Sequence, residues 1–141
     1  MRNRRERKGF TLVEIMVVVI IIGVLAAIVL PRVVRAAEKG KRAATVAQIK
    51  NFKGAIYTFK MDCGRYPNSS EGLAALLNKP GDFHGDWPKG GYLDAEAIPK
   101  DPWGNDYVYK CPGTGNRDFD ITSYGADGKS GGEGDDADIT N

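Results

Sequence analysis

FTLVEIMVVVIIIGVLAAIVL, Phe10 to Leu30, is a run of 21 residues that is apolar everywhere except Thr11 and Glu14. A helix rises about 1.5 Å per residue, so the run spans about 30 Å, the thickness of a bilayer's hydrocarbon core. A short basic segment precedes it, with Arg2, Arg4, Arg5, Arg7 and Lys8 against Glu6, and ends at Gly9. Three fates suit such an N-terminus. The first is a plain signal anchor. The second is a secretory signal cut after Val34-Arg35-Ala36, which would release a secreted module beginning at Ala37. The apolar part of such signals spans only about 7–15 residues, however, and this one is longer. The third is cleavage between Gly9 and Phe10, which also gives Glu14 a use.

An ionisable residue at the centre of a membrane helix costs about 2–3 kcal/mol, and less near an end, so Glu14 implies a task and a partner. Cleavage after Gly9 removes five bases and one acid, taking the formal charge from +2 to −2. It also creates an amine close to Glu14. In a low-dielectric bundle the amine of one subunit can pair with the carboxylate of a neighbour. Orientation is not set by charge alone. Arg32, Arg35, Lys39, Lys41 and Arg42 crowd the far flank and offset the basic leader.

Helical periodicity continues past the apolar run. Val46, Ile49, Phe52, Ile56 and Phe59 recur at three- and four-residue steps, the stripe of an amphipathic helix that packs on a core. Lys41, Lys50, Lys53 and Lys60 mark the opposite, solvated face. One helix from about Phe10 to about Lys60 would be about 75 Å long. Pro31 removes a backbone hydrogen bond and crowds the preceding turn, which predicts a kink. With Gly23 it defines a soft joint, expected to unwind when subunits pack into a filament.

Beyond the helix, Cys63 to Pro67 reads as a turn. Ser69 or Ser70 is expected to cap a short helix through Leu77 that packs by Leu73, Leu76 and Leu77. Residues 80–91 read as loop. Tyr107–Cys111 and Phe119–Tyr124 alternate as two strands of a hairpin around Pro112-Gly113-Thr114-Gly115. The glycine-rich tail from Gly125 to Asn141 predicts no regular element. The fold class is α+β: a long N-terminal helix, a small antiparallel sheet and a C-terminal acidic loop. At 141 residues, with 42% hydrophobic and 27% charged side chains, the chain can hold one modest core. Basic residues are not interleaved with aromatics, which argues against nucleic acid. No nucleophile–base pair or phosphate loop argues for an enzyme.

Asp127, Glu133, Asp135, Asp136 and Asp138 fall close together and repel one another unless water or a cation screens them. A solvated loop and a Ca²⁺ site both suit this pattern, the second because hard oxygen ligands and flexible glycines are what Ca²⁺ accepts. The spacing does not fit an EF-hand, and the single Gly-Gly-Glu-Gly-Asp-Asp match to a calcium-binding repeat has no second copy. Cys63 and Cys111 are the only cysteines. They could form a disulfide between the helix end and the first strand, or stay as two free thiols. With His84 alone beside them they do not make a structural zinc site.

The segment KGFTLVEIMVVVIIIGVLAAIVLP resembles the prepilin leader and N-terminal helix of type IV pilins and type II secretion pseudopilins. The resemblance implies that a prepilin peptidase removes residues 1–9 and that the Phe10 amine is methylated. It also implies Glu14 as the assembly carboxylate. By the same resemblance, residues 10–31 form a single-pass inner-membrane helix with a cytoplasmic N-terminus, and residues 32–141 form a periplasmic globular domain. Arg65-Tyr66-Pro67, Ser70-Glu71-Gly72-Leu73, Asp101-Pro102-Trp103-Gly104 and the Gly125-Ala126-Asp127-Gly128 to Asp138-Ile139 loop are similar to those of the major, G-type pseudopilins. That family implies a homopolymer that meets minor pseudopilins, an inner-membrane assembly platform and, indirectly, a secretin. It also implies structural Ca²⁺, held by Asp127, Asp138 and the Tyr124 carbonyl. Ala137 stands where a second acidic ligand is expected, so Asp136 is the expected substitute. The alternative is a type IV pilin of a surface fibre for adhesion, motility or DNA uptake. Such pilins usually close their C-terminal loop with a disulfide, whereas a Cys63–Cys111 ring leaves the acidic tail outside.

Overall fold

The computed structural model describes residues 9–141, Asp135 by its backbone alone. The leader expected at residues 1–9 therefore lies outside the described residues except for Gly9. The chain forms two compact units, the first ending at Ala37 and the second running from Glu38 to Asn141. The division falls later than the end of the apolar run at Pro31, because Arg32 to Ala37 are still exposed helix.

A 52-residue helix, α1 (Leu12–Cys63), supplies the described helix of the first unit and the spine of the second. In the first unit every large apolar side chain is exposed, from Phe10 at 84% to Val34 at 55%. The helix continues through Pro31, as expected of one rod from about Phe10 to about Lys60. Proline costs one backbone hydrogen bond, and the apolar helix formers on both sides outweigh that local loss.

In the second unit, Thr45, Ile49, Phe52, Ala55, Ile56 and Phe59 turn inward from α1. Val46, expected in that stripe, is exposed, and Thr45 takes its place in the core. Thr45 can be buried because its hydroxyl donates to the Lys41 carbonyl one turn back, at 3.0 Å. Phe52 meets Tyr107 edge to face, with centroids 5.0 Å apart.

The short helix expected through Leu77 is a single 3₁₀ turn, Gly72–Leu76, and neither serine caps it. Asn68 instead caps the turn that leads into it. Its Oδ1 accepts from the Ser70 and Glu71 amides, and Glu71 Oε2 accepts from the Asn68 amide. This reciprocal pair is a capping box moved upstream of the serines. Leu73 and Leu76 are buried and Leu77 only half-buried.

Three antiparallel strands complete the core in the order β1-β2-β3: β1 (Val108–Lys110), β2 (Asp120–Ser123) and β3 (Ile139–Thr140). Val108 pairs with Thr122 and Tyr109 with Ile121, so the hairpin forms in the expected place. The third strand corrects the irregular tail: Ile139 pairs with Ser123 and Thr140 with Thr122. Its apolar Ile139 is buried against the core cluster, which suffices to recruit two residues after a glycine-rich loop.

Segment 77–106 has no strand or helix and is held by side chains. Phe83, Trp87, Tyr92 and Phe59 form a chain of edge-to-face ring contacts. The Tyr92 amide donates to the Leu76 carbonyl at 2.7 Å, and its hydroxyl donates to Asp62 at 2.9 Å. Gly91 has a φ of +80°, and a Cβ there would sit 2.5 Å from the Leu76 carbonyl oxygen, so only glycine lets these segments approach.

Candidate functional site

Gly9 and Phe10 lead into α1, and both are exposed. Thr11 is the N-cap residue. Its hydroxyl accepts from the Glu14 amide at 3.2 Å, while Glu14 Oε2 accepts from the Thr11 amide at 2.8 Å and from its hydroxyl at 3.0 Å. In the single chain Glu14 thus closes a capping box, satisfying helix-end donors that lipid could not. The Thr-x-x-Glu spacing was present in the sequence and carries this second role.

The C-terminal acidic loop is built on the end of β2 and the start of β3. Tyr124, Ser130 and Asp138 line one depression beside the sheet. Asp138 Oδ2 accepts from the Gly131 amide at 3.0 Å, and its Oδ1 is buried with no hydrogen-bond partner. A buried carboxylate oxygen with no donor is the arrangement a hard cation would complete. Asp127 instead accepts from the Lys129 amide at 3.0 Å, closing its own turn. Asp136 is exposed in the 3₁₀ turn Gly134–Asp136. Among the described residues no three carboxylate, imidazole or thiol groups converge. The geometry therefore brings Tyr124 and Asp138 together and leaves Asp127 and Asp136 apart. Lys110, Asp120 and Arg117 line the same depression, so what it offers a cation is the one free carboxylate oxygen of Asp138.

Around this loop the fold adds residues that motif reasoning did not assign. Buried Asp101 accepts from the Trp103 and Asn105 amides at 3.1 and 2.8 Å and from the Ser123 hydroxyl at 2.7 Å. Asn105 then donates its side-chain amide to the Gly125 carbonyl at 3.0 Å. The Trp103 indole donates to Glu38 at 2.8 Å, and Lys41 donates to the other Glu38 oxygen at 2.9 Å. Those donors, Lys41 first, hold the Glu38 carboxyl below its usual range. Arg42 donates to the Ala137 carbonyl at 2.9 Å.

Of the two states open to the cysteines, the structure holds the second, with Cys63 and Cys111 as free thiols. Each has separate surroundings. Cys63 lies with Asp62, Arg65, Asp82 and His84 around a cavity of about 290 Å³. Burial pushes its thiol up despite the Arg65 guanidinium nearby. The Cys111 thiol donates to the Asp118 carbonyl at 3.4 Å, and its amide donates to Ser69.

With this geometry in hand, the comparisons are direct. The family described as type II secretion system (T2SS), protein G matches residues 32–141, and the prokaryotic N-terminal methylation motif matches residues 4–30. The chain belongs to the type II secretion system protein G family. The core protein G of Pseudomonas aeruginosa is 46% identical across 99% of this chain and 97% of its own length. That of Vibrio cholerae is 42% identical across 100% and 95%, and that of Escherichia coli K12 is 40% identical across 100% and 94%. The crystal structure of the major pseudopilin from the type 2 secretion system of enterohaemorrhagic Escherichia coli matches with a TM-score of 0.61 at 31% identity. It covers 75% of this chain and 90% of that one. A spine helix on a small antiparallel sheet is thus the pseudopilin fold, and this G-family chain is a pseudopilus subunit of type II secretion.

Proposed function

We propose that this pseudopilin is a precursor whose mature form starts at Phe10 and polymerises in the periplasm to drive protein export. Phe10 to Pro31 holds the waiting subunit in the inner membrane, with residues 32–141 on the periplasmic side. A prepilin peptidase cuts after Gly9, and the Phe10 amine is methylated. An inner-membrane platform draws subunits into a homopolymer that minor pseudopilins cap, and the growing fibre pushes cargo toward a secretin. The subunit's work is structural and mechanical.

One observation carries this reading: a helical stretch, residues 12–37, with no buried apolar side chain and one carboxylate, Glu14, whose partner among the described residues is its own first turn. Bare apolar surface is stable in lipid or against other copies of itself. Glu14 is pre-aimed at the helix start, where a cleaved subunit presents its new amine. Assembly exchanges the local Thr11 contact for a charged one between subunits, which is stronger in a dry bundle. Glu14→Ala is therefore expected to be cleaved normally and to form no filaments. N-terminal sequencing and electron microscopy of sheared fibres check both halves; filaments of normal length from the variant would remove the role of Glu14. Sequencing that begins at Met1 or Ala37 would remove the processing scheme.

Ca²⁺ belongs to the same proposal as a structural ion. Asp138, the Tyr124 carbonyl, Asp127 and Asp136 would hold it, and it would supply the positive charge the acidic loop lacks. Asp127 and Asp136 must turn inward for this, and the glycines around them leave room for that motion.

A further inference from the structure

The apolar run of α1 is followed by PRVVRAA, Pro31 to Ala37, which holds two arginines around two valines and no acid. All seven residues are exposed helix, with Val33 at 57% and Val34 at 55%. Further along, Lys41 is committed to Glu38 and Arg42 to the Ala137 carbonyl. Among the described residues no ion pair involves Arg32 or Arg35. Three residues apart on a helix, the two share one face. A rise of about 1.5 Å per residue puts them about 3 and 7.5 Å past Leu30, where the apolar run ends. The headgroup layer on each side of the hydrocarbon core is about 5–7 Å deep. Helix side chains lean toward the N-terminus, here toward the bilayer, which brings Arg35 down into the same layer as Arg32.

We propose that Arg32 and Arg35 form a docking site for anionic phospholipid headgroups at the Pro31 end of the membrane helix. This rests on the membrane reading of residues 10–31 above and adds which lipid that end of the helix selects. Each guanidinium fork takes two phosphate oxygens at once, a match that a point charge does not give. The arginine stems, with Val33 and Val34, lie against the upper acyl chains and so cover apolar surface that the fold leaves bare. A zwitterionic headgroup brings its own ammonium to its phosphate, whereas an anionic one leaves the charge for the arginines. An acidic protein would have to displace lipid to reach this depth, while the lipid is already there.

The test uses the full chain in nanodiscs of equal parts phosphatidylglycerol and phosphatidylcholine, with native mass spectrometry counting the lipids retained on release. Wild type is expected to keep phosphatidylglycerol in preference. Arg32→Gln with Arg35→Gln should lower that preference about 25-fold, about fivefold for each base at an anionic surface. The basic leader is present in both chains, so the difference belongs to the arginine pair. Lys50→Gln with Lys53→Gln removes the same charge about 22 Å further along α1. That distance exceeds a Debye length of about 8 Å, so the preference should hold. Glutamine is a good helix former, and circular dichroism checks that each variant keeps its helix. An unchanged preference in the arginine variant, or an equal loss in the lysine variant, overturns the proposal. Wild-type dimers that vanish in the arginine variant, with lipids retained at the bulk ratio, would overturn it too and assign the pair to a second copy. A chain that fails to enter discs of phosphatidylcholine alone removes the membrane reading and this proposal together, a result distinct from the others.

Discussion

Asp101 shows how much one buried side chain can organise. It is 4% exposed and accepts three hydrogen bonds, from two amides of its own turn and from Ser123 on β2. A bond to a charged acceptor contributes about 1.5–3 kcal/mol, and orphaned buried donors add a desolvation cost. Asp101→Ala is therefore expected to lower stability by about 2–4 kcal/mol, read by urea unfolding. Asp101→Asn, which keeps an acceptor, should lose less. Equal losses would show that the full carboxylate, and not one acceptor oxygen or the side chain's volume, is what the site requires. Phe52, fully buried against Tyr107, sets the comparison: Phe52→Ala should cost about 3–5 kcal/mol through lost contacts and a cavity. The thiols give a third check. Alkylation of the unfolded, unreduced chain should add two labels by intact mass; none would mean that Cys63 and Cys111 are joined after all.

Among the elements, the one with a strong period was legible and the short ones were less so. A 21-residue run, apolar but for Thr11 and Glu14, and a three-to-four stripe made α1 legible within a few residues of Leu12–Cys63. The hairpin was legible because Tyr109 and Ile121 alternate with polar neighbours around a glycine-rich connection. Two residues of β3 carry no periodicity, and their strand state comes from pairing with β2, a tertiary effect. The short helix was legible in place, but its capping residue was not, because Asn68, an equally good cap, stands just ahead of two serines. This stretch is also pinned by Arg65, which pairs with Glu71 at 2.8 Å and Asp82 at 2.7 Å. The guanidinium holds both carboxyls below their ordinary values of 4.5 and 3.8. Depressed carboxyls stabilise the fold above their unfolded pKa values, and that stabilisation is lost as pH falls through the folded ones. The clamp should therefore be intact at neutral pH and fail in the acid range below about 4. Arg65→Ala should flatten that acid limb of the melting-temperature profile. An unchanged limb would place the acid sensitivity elsewhere.

Taken whole, the molecule joins a unit with no buried core of its own to one whose core α1 completes. Its candidate sites were legible to different degrees for the same reason. Glu14 stands out because a carboxylate in an apolar run is costly in lipid, whereas Arg42, Asp101 and Asn105 are ordinary polar residues until the fold brings the loop to them. The acidic loop gives the whole-molecule prediction. Its glycines, Gly132 among them at a φ of +80° with Asp136 pressed against it, hold few contacts of their own. A cation binding only the folded form stabilises it by RT ln(1 + [L]/Kd), about 2.7 kcal/mol at a hundredfold excess over Kd. For a unit of this size that corresponds to a rise of about 10 °C in Tm. Millimolar Ca²⁺ should thus raise Tm and slow proteolysis within residues 124–138, EDTA should reverse both, and Asp138→Ala should abolish the difference while retaining the fold in EDTA. A chelator that changes neither Tm nor cleavage would leave the loop's acids merely solvated. β3 would then depend on Ile139 and on the Arg42 bond at Ala137 to stay on the sheet.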